Sequence, residues 1–203
     1  MNNMKKAFKG EFGYIEYRKK VAIIRTIVFL LVVLAIFFSG LFIYKSQKSI
    51  FSIIAAVLCL PTGWSGVNLI MFLRAKGCSL GDYEKISRVK GGLLIHYDHI
   101  ITSYDKNYYI AASTVLDKNI CALAADKDME ESDCEKHIKK MMVGSGYSGY
   151  SIKVFTNTEK FCERLSQLEK LRNEKGIDPF AIENSWQEGT VQTPAGVLLS
   201  ISL

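Results

Sequence analysis

Two long apolar runs dominate the first part of the chain. Residues 26–44 contain no charged side chain, and residues 50–73 are also uncharged. About 20 apolar residues are needed to cross a hydrocarbon core roughly 30 Å thick, so both lengths favour membrane-spanning helices. A buried helix of a soluble core usually keeps a polar stripe, and a cleaved signal peptide has a shorter apolar region. We therefore expect a two-helix transmembrane hairpin over residues 26–73.

The polar gap between the two runs predicts how the hairpin is oriented. Lys45 to Ser49 is too short for anything but an antiparallel turn, so both chain ends should lie on one side. Residues 1–25 carry seven Lys and Arg against two acids, whereas the gap carries only Lys45 and Lys48. Positive residues stay in the cytoplasm, which predicts a multi-pass cell-membrane protein with cytoplasmic termini. The basic N-terminal segment, residues 1–25, should also face anionic lipid headgroups.

The second run is less regular than the first. Pro61 removes a helix hydrogen bond and predicts a kink, and a break there would shorten the span and place Trp64 at the interface. Thr62, Ser65 and Asn68 are expected to meet the first span near Ser39 and Gly40, and the glycines offer a route to homo-oligomers. The candidate packing positions are Ser39, Gly40, Pro61, Gly63, Gly66 and Asn68.

After a juxtamembrane linker, residues 74–81, the pattern becomes that of a small folded domain over residues 82–175. Apolar residues recur at a helical period from Asp82 to Tyr97, which predicts one helix, with a strand beginning at Leu93 as the alternative. Three β-type runs follow at residues 99–104, 108–115 and 120–125, separated by two copies of Asp-Lys-Asn that suit tight turns. They predict an antiparallel meander.

The rest of the domain alternates helix and strand. A helix is predicted from Ser132 to Met142, with Ser132 and Glu135 as a capping box, then a strand at residues 152–155. A last helix starts at residues 156–158 and ends at Gly176, with a predicted apolar stripe of Phe161, Leu165, Leu168 and Leu171. The tail, residues 176–203, holds a candidate last strand in Gly196 to Leu203. The predicted class is a transmembrane hairpin followed by a small α+β cytosolic domain.

This order of elements, from Asp82 to Leu171, is similar in outline to the restriction-endonuclease-like nuclease fold. That family places an acid at the start of the second strand and a D/E-x-K triplet on the third. Here Asp126 is followed directly by Lys127, the second run begins with two tyrosines, and Asp105 fits only after a register shift. The resemblance therefore concerns the fold, and a nuclease is not assigned from it.

Charge and cysteine content narrow the function further. Residues 74–203 hold 17 basic and 18 acidic side chains, so nucleic-acid binding is not expected of this domain. Five cysteines without a C-x-x-C pair fit a reducing compartment. His96, His99, Cys134 and His137 form the best zinc candidate, but ordinary histidines explain them better, and no cofactor is expected.

Together these patterns predict a membrane-tethered cytosolic binding, sensing or scaffold module, because tethering concentrates a binding domain at one surface. The alternative is a membrane-attached hydrolase or nuclease with an unrecognised or degenerate active site.

Overall fold

The computed structural model describes residues 6–44, 50–187 and 192–203. Lys45 and Lys48, on which the orientation of the hairpin partly depends, lie outside the described residues. The chain divides into two units, Ile15–Ala75 and a second unit that joins the N-terminal residues up to Tyr14 with Lys76–Leu203.

The first unit consists of two helices, each long and apolar enough to cross a membrane. Helix α1 is Tyr14–Tyr44 and helix α2 is Ile50–Arg74. At 1.5 Å per residue α1 is about 46 Å long, because it begins in the basic segment well before the charge-free run. Helix α2 continues through Pro61 to Arg74, so the break considered for this position does not occur. In the most apolar stretch of each helix only 11% of residues are buried.

The second unit starts with a short helix and a strand where the sequence favoured one helix. Helix α3 is Leu80–Val89 and strand β1 is Ile95–Thr102, so the prediction of a helix through Tyr97 is wrong and the strand alternative is nearer. Gly91 has a φ of +52°, which ends the helix. At Gly92 a Cβ atom would lie 2.6 Å from the Arg172 guanidinium carbon, so a side chain at this position would require that group to move.

The predicted meander is confirmed. Strand β2 is Asn107–Leu116 and strand β3 is Asn119–Ala124, and β1, β2 and β3 pair antiparallel in that order. Helix α4, Glu131–Gly144, then leads to strand β4, Ser151–Phe155, which pairs parallel with β3. Before β4 can run parallel to β3, the chain must return to the end of the sheet at which β3 begins, and α4 makes this crossover. The result is a four-stranded mixed sheet.

Helices cover both faces of this sheet. Helix α5, Thr158–Lys175, packs with α3 on one face, and α4 packs on the other. The predicted apolar stripe of α5 is confirmed, because Phe161, Leu165 and Leu168 are buried and Leu171 packs half-buried against the same core. Asn157 caps α5 by accepting from the N–H groups of Glu159 and Lys160, and Gly176 ends it at a φ of +62°.

The predicted capping box of α4 is wrong. Its N-cap is Glu130, and the Ser132 hydroxyl donates to the Glu130 carboxylate at 3.2 Å. Glu135 faces the sheet instead, where it accepts from the N–H of Val154 at 3.0 Å. The Glu135 carboxylate therefore links α4 to β4 and does not cap α4.

The C-terminal tail folds as two short helices, α6 at Pro179–Asn184 and α7 at Pro194–Ser200. The candidate last strand is wrong, because its apolar residues Val197 and Leu198 pack as one helical face against the sheet and α4. In place of a strand, Ser202 forms a single antiparallel bridge to Ile101 of β1.

Both ends of the second unit cover the outer edge of β1. The N–H of Tyr97 donates to the Gly10 carbonyl at 2.8 Å, and the N–H of Leu203 donates to the Ile100 carbonyl at 2.9 Å. Lys9 joins the two ends by donating to the Ser202 carbonyl at 2.5 Å. An edge strand covered in this way does not present a free row of N–H and C=O groups to other chains.

Candidate functional site

The two long helices meet through a polar contact near the base of the hairpin. Thr26 Oγ1 and Ser65 Oγ lie 2.8 Å apart, and Arg25 Nε donates to the same Ser65 Oγ at 3.2 Å. Ser65 is only 1% exposed. The sequence proposed Ser65 as a packing residue but matched it with Ser39 and Gly40. That partner is wrong, because residues of an antiparallel hairpin face each other when they are equally far from its tip.

The other packing candidates serve their own helices or face outward. Ser39 Oγ donates to the Ala35 carbonyl at 2.7 Å and Asn68 Nδ2 to the Trp64 carbonyl at 3.1 Å, each one turn back along its helix. A Cβ atom added at Gly63 or Gly66 would meet nothing within 4 Å. Gly40 is buried. The structure thus places Gly63 and Gly66 outside the helix contact, whereas Pro61 lies within a continuous α2.

An apolar cavity of about 240 Å³ opens at the end of the sheet where β2 ends and where β1 and β4 begin. Five separate parts of the chain form its walls: the residue before β1, the end of β2, the start of β4, α6 and the first turn of α7. Its apolar wall residues are Leu94, Val115, Leu116, Ile177, Pro179, Ile182, Pro194 and Ala195.

Three polar side chains complete the wall of this cavity. The Asp117 carboxylate accepts from Lys175 Nζ at 2.6 Å, and this bond lowers the pKa of Asp117. Glu183 accepts from the Thr193 hydroxyl at 2.8 Å, while burial raises the pKa of Tyr150. An apolar pocket with a few fixed polar groups is the usual form of a small-molecule site.

Two helix starts build the cavity, and each had a signal in the sequence. Asp178 accepts from the N–H groups of Phe180 and Ala181, with Pro179 in the first helical turn. Thr193 accepts from the N–H of Gly196, with Pro194 in the same place. A capping residue followed by proline marks a helix start, so Thr193-Pro194 could have identified α7 in place of a strand.

The zinc candidates on β1 are the half-buried His96 and the buried His99, and they form no metal site with other described residues. The rings of His96 and His99 lie 6.3 Å apart, and His99 Nε2 is 3.0 Å from the Ser113 hydroxyl. Burial is the main cause that lowers the pKa of His99 to about 3, and burial also lowers the pKa of His96. Both imidazoles are thereby kept neutral.

The other two candidates lie on α4. Burial raises the pKa of Cys134 to about 12, which keeps the thiol protonated and makes it a poor ligand. His137 packs beside Tyr108, with ring centroids 5.5 Å apart. Among the residues that the structure describes, no group of three or more His, Cys, Asp or Glu side chains could hold a metal ion.

The two carboxylates considered for a nuclease, Asp126 and Asp105, line different surface clefts. Asp126 follows β3 and pairs with Lys76 at 3.0 Å, which lowers its pKa. It lines one surface cleft with Asp128 and Glu130, whereas Asp105 lines another. Strand β3, Asn119–Ala124, has no acidic or basic residue of its own.

One buried acid escaped sequence reasoning altogether. Asp98 lies in the middle of β1, is 2% exposed, and adopts a left-handed φ of +57°. Its two oxygens accept from the N–H of Gly13 and the N–H of Cys78, both at 2.7 Å. An acid inside the apolar run of β1 was the available signal. Its bonds are to backbone atoms at the two ends of the hairpin sequence, which points to a structural role.

No protein-family model, no curated protein and no solved structure matches this chain. The candidate sites therefore stand on their own geometry.

Proposed function

We propose that this protein is anchored in a membrane by α1 and α2 and presents its α+β unit as a binding module for a small apolar ligand. One observation carries the anchor: the most apolar stretches of two long helices are only 11% buried within the protein. In water that exposed apolar surface would cost about 25 cal/mol per Å², and a bilayer removes the cost. A core helix of a soluble protein would bury most of this surface.

The proposed orientation has the α+β unit in the cytoplasm. Arg18, Lys19, Lys20 and Arg25 lie in the part of α1 that precedes the charge-free run, and Arg74 ends α2. These charges mark the cytoplasmic end of a hairpin. Free thiols at all five cysteines agree with a reducing compartment.

The apolar cavity supports the proposed binding activity. A cavity of about 240 Å³ exceeds the roughly 150 Å³ that holds a benzene molecule in an apolar protein interior. Asp117, Glu183 and Tyr150 offer hydrogen-bond acceptors at its wall. The ligand class is thus a small, mostly apolar molecule with one hydrogen-bond donor.

A fluorinated indole is a suitable probe, added to the full chain in lipid nanodiscs and followed by fluorine NMR. We expect its resonance to broaden with the wild type and with Ala181→Met, which changes an exposed position of α6. Ala195→Met fills the cavity and should abolish the broadening. Equal broadening with both variants would contradict binding at this site.

Orientation needs its own test in intact cells. A membrane-impermeant maleimide added from outside should label a cysteine placed at Ser46 and leave Glu163→Cys, on the exposed face of α5, unlabelled. Labelling of Glu163→Cys without labelling at Ser46 would reverse the proposed orientation.

A membrane-attached hydrolase or nuclease is the second candidate function. It is favoured by the order of helices and strands in the α+β unit, which is similar in outline to the restriction-endonuclease-like fold. In that case a metal-dependent hydrolytic activity of the full chain should fall on Asp105→Ala or Asp126→Ala. The same activity in both variants and wild type would exclude these acids as its catalytic residues.

A further inference from the structure

We infer that Arg25 is a binding residue for the phosphate group of an anionic phospholipid, oriented by Ser65 at the cytoplasmic surface of the membrane. This inference rests on the proposed membrane anchor and adds a specific lipid contact to it.

The position of Arg25 along α1 places it where a phosphate would lie. It directly precedes the charge-free run, residues 26–44, which is about 28 Å long as a helix and matches the thickness of a hydrocarbon core. On α2, Trp64 is adjacent to the Ser65 that contacts Arg25, and it is 73% exposed. Exposed tryptophans of membrane helices concentrate at the lipid headgroup level.

The guanidinium group is held in one orientation. Its Nε donates to Ser65 Oγ at 3.2 Å, and the Thr26 hydroxyl contacts the same oxygen at 2.8 Å. Ser65 belongs to α2 and is buried, so its contact with Arg25 of α1 holds the guanidinium group in place between the two helices. An arginine held in this way loses less rotamer entropy when it binds a ligand.

The remaining donors of Arg25 suit a phosphate. With Nε occupied by Ser65, the edge formed by Nη1 and Nη2 is left, and two parallel N–H donors match two phosphate oxygens. Among the described residues neither nitrogen has a hydrogen bond or an ion pair. Two neighbouring cations differ in this respect, because Lys19 pairs with Glu16 at 2.8 Å and Arg18 lies over the Phe72 ring.

Charge selects an anionic lipid over a zwitterionic one. Residues 1–25 have an excess of five positive charges, from seven basic against two acidic side chains. Each Lys or Arg near an anionic membrane surface adds to the attraction between the protein and the lipid. The basic residues of this segment attract anionic lipids in general, whereas Arg25 makes one contact of fixed geometry with a lipid phosphate.

The test is native mass spectrometry of the detergent-purified full chain with equal amounts of phosphatidylglycerol and phosphatidylcholine of the same acyl chains. We expect the preference for phosphatidylglycerol to fall about tenfold in Arg25→Gln, the lower end of what a charge-assisted pair contributes. Arg25→Lys keeps the charge without the paired donors and should lose most of the preference. Ser65→Ala should weaken it, since the guanidinium is no longer oriented.

Lys20→Gln is the matched control, because it removes one exposed charge from the same basic segment. It should change the preference less than twofold, because the detergent-purified chain has no anionic bilayer surface for this charge to respond to. A loss as large as that of Arg25→Gln, or a wild-type preference in Arg25→Lys, would show general charge attraction and overturn the site.

Two further outcomes separate the sources of failure. Excess inorganic phosphate should leave the lipid bound, and displacement would show a site for free phosphate. If the wild type is released from vesicles by alkaline carbonate, the membrane anchor itself fails. If it stays inserted and Arg25→Gln keeps its lipid preference, only the lipid site is wrong.

Discussion

The carboxylate of Asp98 accepts a hydrogen bond from the backbone N–H of Gly13 at 2.7 Å. Its other oxygen accepts from the N–H of Cys78 at the same distance. Gly13 and Cys78 flank the sequence of the two long helices, so one buried side chain fixes the backbone just before and just after the hairpin.

Asp98→Asn should lower the free energy of unfolding of the α+β unit by about 2 kcal/mol. Asparagine tolerates a positive φ but has one acceptor oxygen, so its NH₂ group would face one of the two N–H donors. The measurement is urea unfolding of the full chain in mild detergent, followed by Trp186 fluorescence in a Trp64→Phe background.

Asp117→Asn is the control for this change. Asp117 also has a positive φ, of +53°, but it forms a surface ion pair with Lys175. We expect a loss below about 1 kcal/mol there. Equal losses at the two positions would contradict the role assigned to Asp98.

Gly77→Ala should destabilise the same contact by about 1–3 kcal/mol. Its new Cβ would lie 2.8 Å from Asp98 Oδ1, and the two backbone bonds prevent that carboxylate from moving away. At Gly144, the last residue of α4, a Cβ meets nothing within 4 Å, so Gly144→Ala should change stability by less than about 1 kcal/mol. The same urea experiment compares them, and an unchanged midpoint for Gly77→Ala would be inconsistent with this packing.

Acid should destabilise the α+β unit through His99. Its folded-state pKa of about 3 lies below its ordinary value of 6.5, because the ring is buried beside His96 and Lys9. As the pH falls, the unfolded chain takes up this proton before the folded chain does. The stability that the neutral His99 contributes is therefore present above pH 6.5 and is lost as the pH falls below that value. One proton changes stability by about 1.4 kcal/mol per pH unit, or about 2 kcal/mol from pH 6.5 to 5.

His99→Gln removes this proton while keeping a hydrogen-bonding group near Ser113. Unfolding free energies measured between pH 5 and 6.5 should therefore vary less steeply than in the wild type, by about 1.4 kcal/mol per pH unit. An identical slope in the variant would mean that His99 is not kept neutral by burial.

The register of the hairpin can be tested by cross-linking. In a Cys59→Ser background, Thr26→Cys with Ser65→Cys should form a disulfide on mild oxidation, because the native hydroxyl oxygens are 2.8 Å apart. Ser39→Cys with Ser65→Cys should remain reduced, since Ser39 lies about 20 Å further along α1. Peptide mass spectrometry identifies the bond, and the opposite result would restore the register first expected from the sequence.

Local patterns predicted the parts of the fold that local physics determines. The long helices follow from length and apolarity, and the β1–β2–β3 meander follows from short β-type runs joined by Asp-Lys-Asn turns. The stripe of α5 follows from the spacing of Phe161, Leu165 and Leu168. In each case the signal lies within a few neighbouring residues.

The predictions were wrong or incomplete where contacts between residues far apart in the sequence determine the local structure. Gly92, just before β1, lies against the Arg172 guanidinium, and Glu135, predicted as part of a helix cap, accepts from the N–H of Val154 instead. The cavity needs walls from five segments, so no local pattern of residues could reveal it. Asp98 was visible as an acid in an apolar run, but its partners, Gly13 and Cys78, lie far from it in sequence.

The most direct test of the membrane anchor is alkaline carbonate extraction of vesicles that contain the full chain. High pH strips proteins held by charge alone, whereas two spanning helices stay in the bilayer because their exposed apolar side chains have no other favourable solvent. We predict that the chain remains in the membrane pellet and is released only by detergent. Recovery of the chain in the carbonate supernatant would contradict the account.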